Sequence, residues 1–69
     1  MMVEIIRGSD VVADLGQTPT HRGAVHLIFE WARKHTPRTC DKGYWRGILS
    51  DDHDIIDYGD YCYFGRIWK

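Results

Sequence analysis

The chain has 69 residues, is 43% hydrophobic with three Trp and four Tyr, and carries a formal net charge of −1. A chain this short makes one domain and buries only about 60% of its unfolded surface, so its core is marginal unless it associates or binds something. The composition excludes a disordered chain, the charge excludes a generally polycationic nucleic-acid binder, and no apolar run approaches the ~20 residues of a membrane span.

Met2 to Arg7 is a β-branched run closed by Gly8-Ser9-Asp10, the pattern of a strand and its turn. The same N-terminal stretch lacks the basic start and long apolar centre of a signal peptide, so a cytoplasmic location is expected. Cys40 and Cys62 are then expected as thiols, since a disulfide would need an oxidising compartment. Residues 9–16 fit two readings. Val11-Val12-Ala13-Asp14-Leu15 reads as the second strand of a hairpin, or Ser9 caps a short helix that Gly16 ends. The hairpin is favoured, because Val11-Val12 starts so short a helix poorly.

Thr18 to His35 carries the long periodic pattern around which the chain is organised. Ala24, Leu27, Ile28, Trp31, Ala32 and His35 recur at three- and four-residue steps, which predicts a helix with these residues on its buried stripe. Trp31 is the largest of them and the expected centre of the core. Val25 and Phe29 widen the stripe, while Arg22, His26, Glu30, Arg33 and Lys34 fall on the opposite side. Glu30 stands four residues before Lys34, the favourable order for an ion pair. Thr18 is the expected N-cap with Pro19 at the first helical position, and Pro37 ends the helix.

A polar loop follows from Thr36 to Lys42. Strands are then expected at 44–49, 54–58 and 61–68, separated by Ser50-Asp51-Asp52-His53 and Gly59-Asp60. The expected fold is a single two-layer α+β domain over residues 1–69. Its order is ββαβββ, with an antiparallel sheet of about five strands packed on one main α-helix.

Two distributions in this chain bear on function. Tyr44, Trp45, Tyr58, Tyr61, Tyr63, Phe64 and Trp68 all lie in the C-terminal meander. Alternation in its last strand separates Tyr61, Tyr63 and Ile67 from Cys62, Phe64 and Trp68, and one helix covers only one of those faces. The other face is left exposed or covered by a second molecule. Charge is segregated as well. Residues 21–46 hold Arg22, Arg33, Lys34, Arg38, Lys42 and Arg46 against Glu30 and Asp41, whereas residues 47–65 hold five aspartates and no Lys or Arg.

Catalytic and metal chemistries find little support in these residues. Asp51-Asp52-His53-Asp54 lacks the alternate carboxylates, Gly and closing Glu of a calcium loop, and the two cysteines stand far apart, so no metal is expected. Ser50, Asp52 and His53 are adjacent along a turn, where side chains are expected to diverge rather than form a relay. There is no glycine-rich phosphate loop, so neither a cofactor nor an enzymatic activity is expected.

Tyr, Trp and Arg dominate protein interfaces, and an acidic hairpin beside aromatics suits a basic partner. The expected function is therefore a small non-enzymatic protein-binding module, an inhibitor or regulator of phage or mobile-element type. Asp51, Asp52, Asp54 and Asp57 would steer it to a partner such as a nucleic-acid-handling machine, and Tyr61 and Tyr63 would anchor it. A homodimer through the Tyr61, Tyr63 and Ile67 face is a second way to cover those aromatics. The competing expectation is direct DNA or RNA binding by Arg22, Arg33, Lys34, Arg38 and Arg46. If residues 9–16 are helical, residues 9–58 coarsely resemble a winged helix, with the Tyr44–Tyr58 hairpin as its wing.

Overall fold

A computed structural model describes residues 1–35, 46–59 and 62–69, with residues 46–49 described by their backbone alone. The elements in chain order are strand β1 (Met2–Arg7), strand β2 (Asp10–Gln17), helix α1 (His21–His35), and strands β3 (Arg46–Leu49), β4 (His53–Asp57) and β5 (Phe64–Trp68). All strand pairs are antiparallel, and the sheet order is β2-β1-β5-β4-β3. The chain thus adopts the expected class, a small α+β domain of antiparallel strands and one helix. The last strand begins at Phe64, after Cys62 and Tyr63, later than the sequence pattern predicts, whereas Tyr44 and Trp45 of the expected third strand lie outside the described residues.

Residues 9–16 resolve as strand. Arg7 pairs with Asp10 across a Gly8-Ser9 loop in which Gly8 has φ 62°, and positive φ at the first central residue alone is the pattern of a II′ hairpin. The register jumps twice, leaving Val12 and Leu15 as extra residues on β2. At the second jump Gly16 has φ 89°, and its amide donates to Asp14 Oδ1 at 2.9 Å. The hairpin removes the first helix that a winged-helix reading requires.

The helix starts later than Pro19 suggests. Thr20, not Thr18, is the N-cap: its Oγ1 accepts from the Gly23 amide at 3.0 Å, and its carbonyl from the Ala24 amide at 3.1 Å. Thr18 is held by the sheet instead, its amide donating to the Met1 carbonyl at 2.9 Å. A Cβ on Gly23 would lie 3.1 Å from Thr20 Oγ1 and 3.4 Å from Thr18 Cβ, so a glycine in the first turn suits this cap. Thr20→Ala is expected to lower stability by about 1 kcal/mol, and Thr20→Ser to leave it nearly unchanged, in chemical-denaturation midpoints. At the other end, His35 Nδ1 donates to the Trp31 carbonyl at 2.9 Å, and its ring stacks on the Trp31 indole at 4.1 Å. Glu30 reaches back to His26 at 3.1 Å rather than forward to Lys34.

The core lies between α1 and the central strands. Ala24, Ile28 and Ala32 are fully buried against Val3, Ile5, Ile56, Tyr58 and Ile67. Small residues on both sides of Ile28 bring the helix close to the sheet. Trp31, the expected core centre, stands with Leu27 on the flank toward β2, half-buried against that core. The sequence stripe was wide enough to allow either rotation, and close approach of the alanines fixes the observed one.

Candidate functional site

A sheet carrying one helix has a second side, and the register shows which residues stand on it. Residues opposite one another in an antiparallel pair share a face. Val3 pairs with Ile67, Ile5 with Gly65 and Ile56 with Gly65, all on the helix side. The alternate pairs Met2–Trp68, Glu4–Arg66, Ile6–Phe64, His53–Trp68 and Ile55–Arg66 therefore line the helix-free side.

Its centre is a connected polar and aromatic group. Glu4 Oε1 accepts from Arg66 Nε at 3.0 Å and from the Trp68 indole N–H at 2.6 Å, and Arg66 Nη2 lies 2.9 Å away. The Arg66 guanidinium carbon sits 4.7 Å from the Trp68 ring centroid, and the His53 ring lies 5.0 Å from the same indole, tilted against it. The Glu4 and Arg66 side chains are only 12% and 20% exposed. One carboxylate oxygen thus fixes two long side chains that would otherwise sample many rotamers. Around this group, Ile6 is nearly buried and Phe64 and Ile55 are half-buried.

The rim is acidic. Asp14 is exposed and pairs with Glu4 in register, and half-buried Asp57 follows Ile55 by one alternation on the same side. Asp51 and Asp52 are exposed in the β3–β4 turn. A 2.6 Å contact with His53 Nδ1 holds the Asp52 carboxyl below the usual carboxylate range. A lowered acid pKa means that this contact acts above the ordinary value and is lost as pH falls below about 4.

Several expected site residues are elsewhere. Asp54 is 2% exposed and faces the helix side, so it steers nothing. Its Oδ2 lies 3.0 Å from His21 Nε2 and its Oδ1 3.2 Å from Lys69 Nζ, a polar cluster that ties the first helical residue and the residue after β5 to β4. Tyr63 lies on the helix side, half-buried with its ring centroid 6.0 Å from that of Trp31, and Ile67 is fully buried. The face expected to be open for a partner or a second copy is therefore the one α1 covers. Tyr61, Arg38 and Cys40 lie outside the described residues, and Cys62 is exposed. Arg22, Arg33 and Lys34 are exposed on α1, whereas Arg46 begins β3 opposite Asp57 in register, at the rim of the helix-free side.

Ser50, Asp52 and His53 do approach one another, contrary to the divergence expected along a turn. However, Asp52 at 2.6 Å and Ser50 Oγ at 3.4 Å both face the same ring nitrogen, Nδ1. A catalytic relay needs the carboxylate and the hydroxyl on opposite nitrogens. Ser50 Oγ donates to the His53 carbonyl, which closes the turn. His53 and Asp54 point to opposite faces, and among the described residues no three His, Cys, Asp or Glu side chains converge as metal ligands. Nor is any helix of the described residues long and apolar enough to cross a membrane.

No protein-family model matches the chain, and no curated protein or solved structure matches it. The site therefore rests on its own geometry. Glu4, Phe64, Arg66 and Trp68 are the residues that sequence reasoning missed. The available signal was the glycine in Tyr63-Phe64-Gly65-Arg66-Ile67-Trp68, which marks the side where a helix can approach.

Proposed function

We propose that the chain is a small non-enzymatic protein-binding module, an inhibitor or regulator that docks its helix-free sheet face on a basic protein surface. The observation that carries this reading is the Glu4-anchored Arg66–Trp68 pair. Arg and Trp are the side chains that most often dominate interface energetics, and holding them in one geometry beforehand reduces the ordering cost of binding. The Glu4 and Arg66 charges cancel, and Arg46 stands opposite Asp57 in register, so the unbalanced charge of the face belongs to Asp14 and the turn carboxylates Asp51 and Asp52. Those groups steer a basic partner and repel phosphates. A protein groove that otherwise holds nucleic acid meets this description.

A second reading keeps nucleic acid as the ligand. It is favoured by the exposed cations Arg22, Arg33 and Lys34, which the fold gathers on the helix layer, on the other side of the sheet from the Arg66–Trp68 pair. The two readings use opposite sides of one thin domain, and a photo-crosslinking side chain separates them. Placed at Asp51 or Asp14, it should give protein adducts in nuclease-treated lysate of the native host. Placed at Arg22, it should give none. Nucleic-acid adducts from Arg22, with no protein adduct from either acidic position, would reverse the assignment.

A further inference from the structure

The edge of the sheet at β2 offers a second and separate site. β2 is the longest described strand, eight residues, and stands last in the sheet order, so no described strand pairs with its outer side. Val11 and Val12 on it are 48% and 45% exposed. An edge of this kind presents a row of backbone N–H and C=O groups to any chain that can lie beside it.

Two features specify what would lie there. Between β2 and α1 a groove of about 220 Å³ opens, floored by Leu15, Leu27 and Trp31, with Glu30, Lys34 and His35 at its lip. A strand added outside β2 would run about 4.8 Å further out and point every second side chain toward this groove. Those positions suit aliphatic residues. The intervening side chains would stand on the helix-free side, next to Asp14. Asp14 pairs in register with Glu4, but Arg66 and Trp68 engage the Glu4 carboxylate, while among the described residues Asp14 accepts only from the Gly16 amide at 2.9 Å. Its charge is balanced by no cation among the described residues, so those positions suit lysine or arginine. A second copy is a poor occupant, because β2 carries Asp10 and Asp14 and no cation, and self-pairing would bring like charges together.

We propose that β2 accepts an added strand from a partner polypeptide in which aliphatic residues alternate with lysine or arginine, the aliphatic side chains filling the α1–β2 groove and the basic ones meeting Asp14. This site shares Asp14 with the helix-free face but otherwise uses the outer side of β2 and the α1–β2 groove, so its dependence on main-chain hydrogen bonds separates it from docking on that face.

The probe is a capped nonapeptide in which leucine alternates with lysine, titrated into isotope-labelled protein by NMR. Binding should move the amides of residues 10–17 and 27–35 with a dissociation constant below about 100 μM. Methylating alternate peptide nitrogens on the pairing edge should weaken binding at least ~10-fold, since strand addition depends on main-chain hydrogen bonds. Asp14→Asn keeps the oxygen that holds Gly16, so the fold is retained, yet affinity for the lysine peptide should fall about threefold and lose much of its salt dependence. The proposal is overturned by no titration up to about 1 mM, by shifts on the helix-free face alone, or by equal affinity for the methylated peptide or one with glutamate for lysine. Concentration-dependent shifts of the same β2 amides in the free protein would show self-pairing and also overturn it.

Discussion

Gly65→Ala is expected to cost about 3 kcal/mol, a large share of the stability available to so small a domain. The reason is space rather than backbone freedom. A Cβ on Gly65 would lie 2.4 Å from Ile28 Cδ1 and 2.8 Å from Ile28 Cγ1 and Cγ2, in the fully buried layer between α1 and β5. Ile28 is itself fully buried in the core cluster, with Ala24 and Ala32 one turn to either side of it. Ile28→Ala alone removes the largest buried helix side chain and should cost about 2–5 kcal/mol through the cavity it leaves. The double variant places the new methyl group in that cavity, so it should be more stable than the sum of the two by over ~1 kcal/mol. Denaturant midpoints at constant slope give all four corners of the cycle. Strict additivity, or a Gly65→Ala melt like the parent's, would show that the helix does not seat on this glycine.

The second large effect is expected at Glu4. Glu4→Ala removes the oxygen shared by Arg66 and Trp68 and leaves a mostly buried guanidinium and an indole N–H without it, at a cost of about 2 kcal/mol. Glu4→Gln retains an acceptor for the indole and should cost about half as much. A Glu4→Leu, Arg66→Met pair replaces the ion pair with apolar groups of similar length, and such exchanges are often neutral or stabilising. If that double variant melts at or above the parent and no longer crosslinks to the partner, the charged pair is present for recognition rather than for stability. A Glu4→Ala variant as stable as the parent would remove the anchoring role assigned to this carboxylate.

How much of this was legible in the residues depends on the range of the interaction. Local signals carried the hairpin, the long helix and the C-terminal strands, because turn chemistry and periodicity act over a few positions. The N-cap was misplaced by two residues because Thr18 and Thr20 both suit it locally, and only the Thr18–Met1 pairing in the sheet decides between them. Alternation separated the two sides of β5 correctly but could not say which one the helix covers. The covered side is set by the contact of Ile28 with Gly65, 37 positions apart (65 minus 28). Asp54 looked like its exposed neighbours Asp51 and Asp52. Its burial rests on His21 and Lys69, 33 residues before it and 15 after it (54 minus 21, 69 minus 54), which no local pattern links. Glu4 was likewise unremarkable until the sheet order set β1 beside β5.

The central claim is that the helix-free face recognises a basic protein. The most direct measurement is affinity capture from nuclease-treated lysate of the native host, at several salt concentrations, with three proteins. They are the parent, the Asp51→Asn, Asp52→Asn, Asp57→Asn variant, and the Arg22→Ala, Arg33→Ala, Lys34→Ala variant. Each aspartate-to-asparagine change keeps one side-chain acceptor oxygen, enough for the bond that Asp57 accepts from the Gly59 amide at 2.9 Å, so folding should be preserved. The account predicts one defined protein that the parent and the helix variant retain equally. The acidic-rim variant should capture several-fold less of it, with a flatter salt dependence. Capture unaffected by the aspartate changes but lost with the helix cations, or recovery of nucleic acid alone when nuclease is omitted, would contradict it.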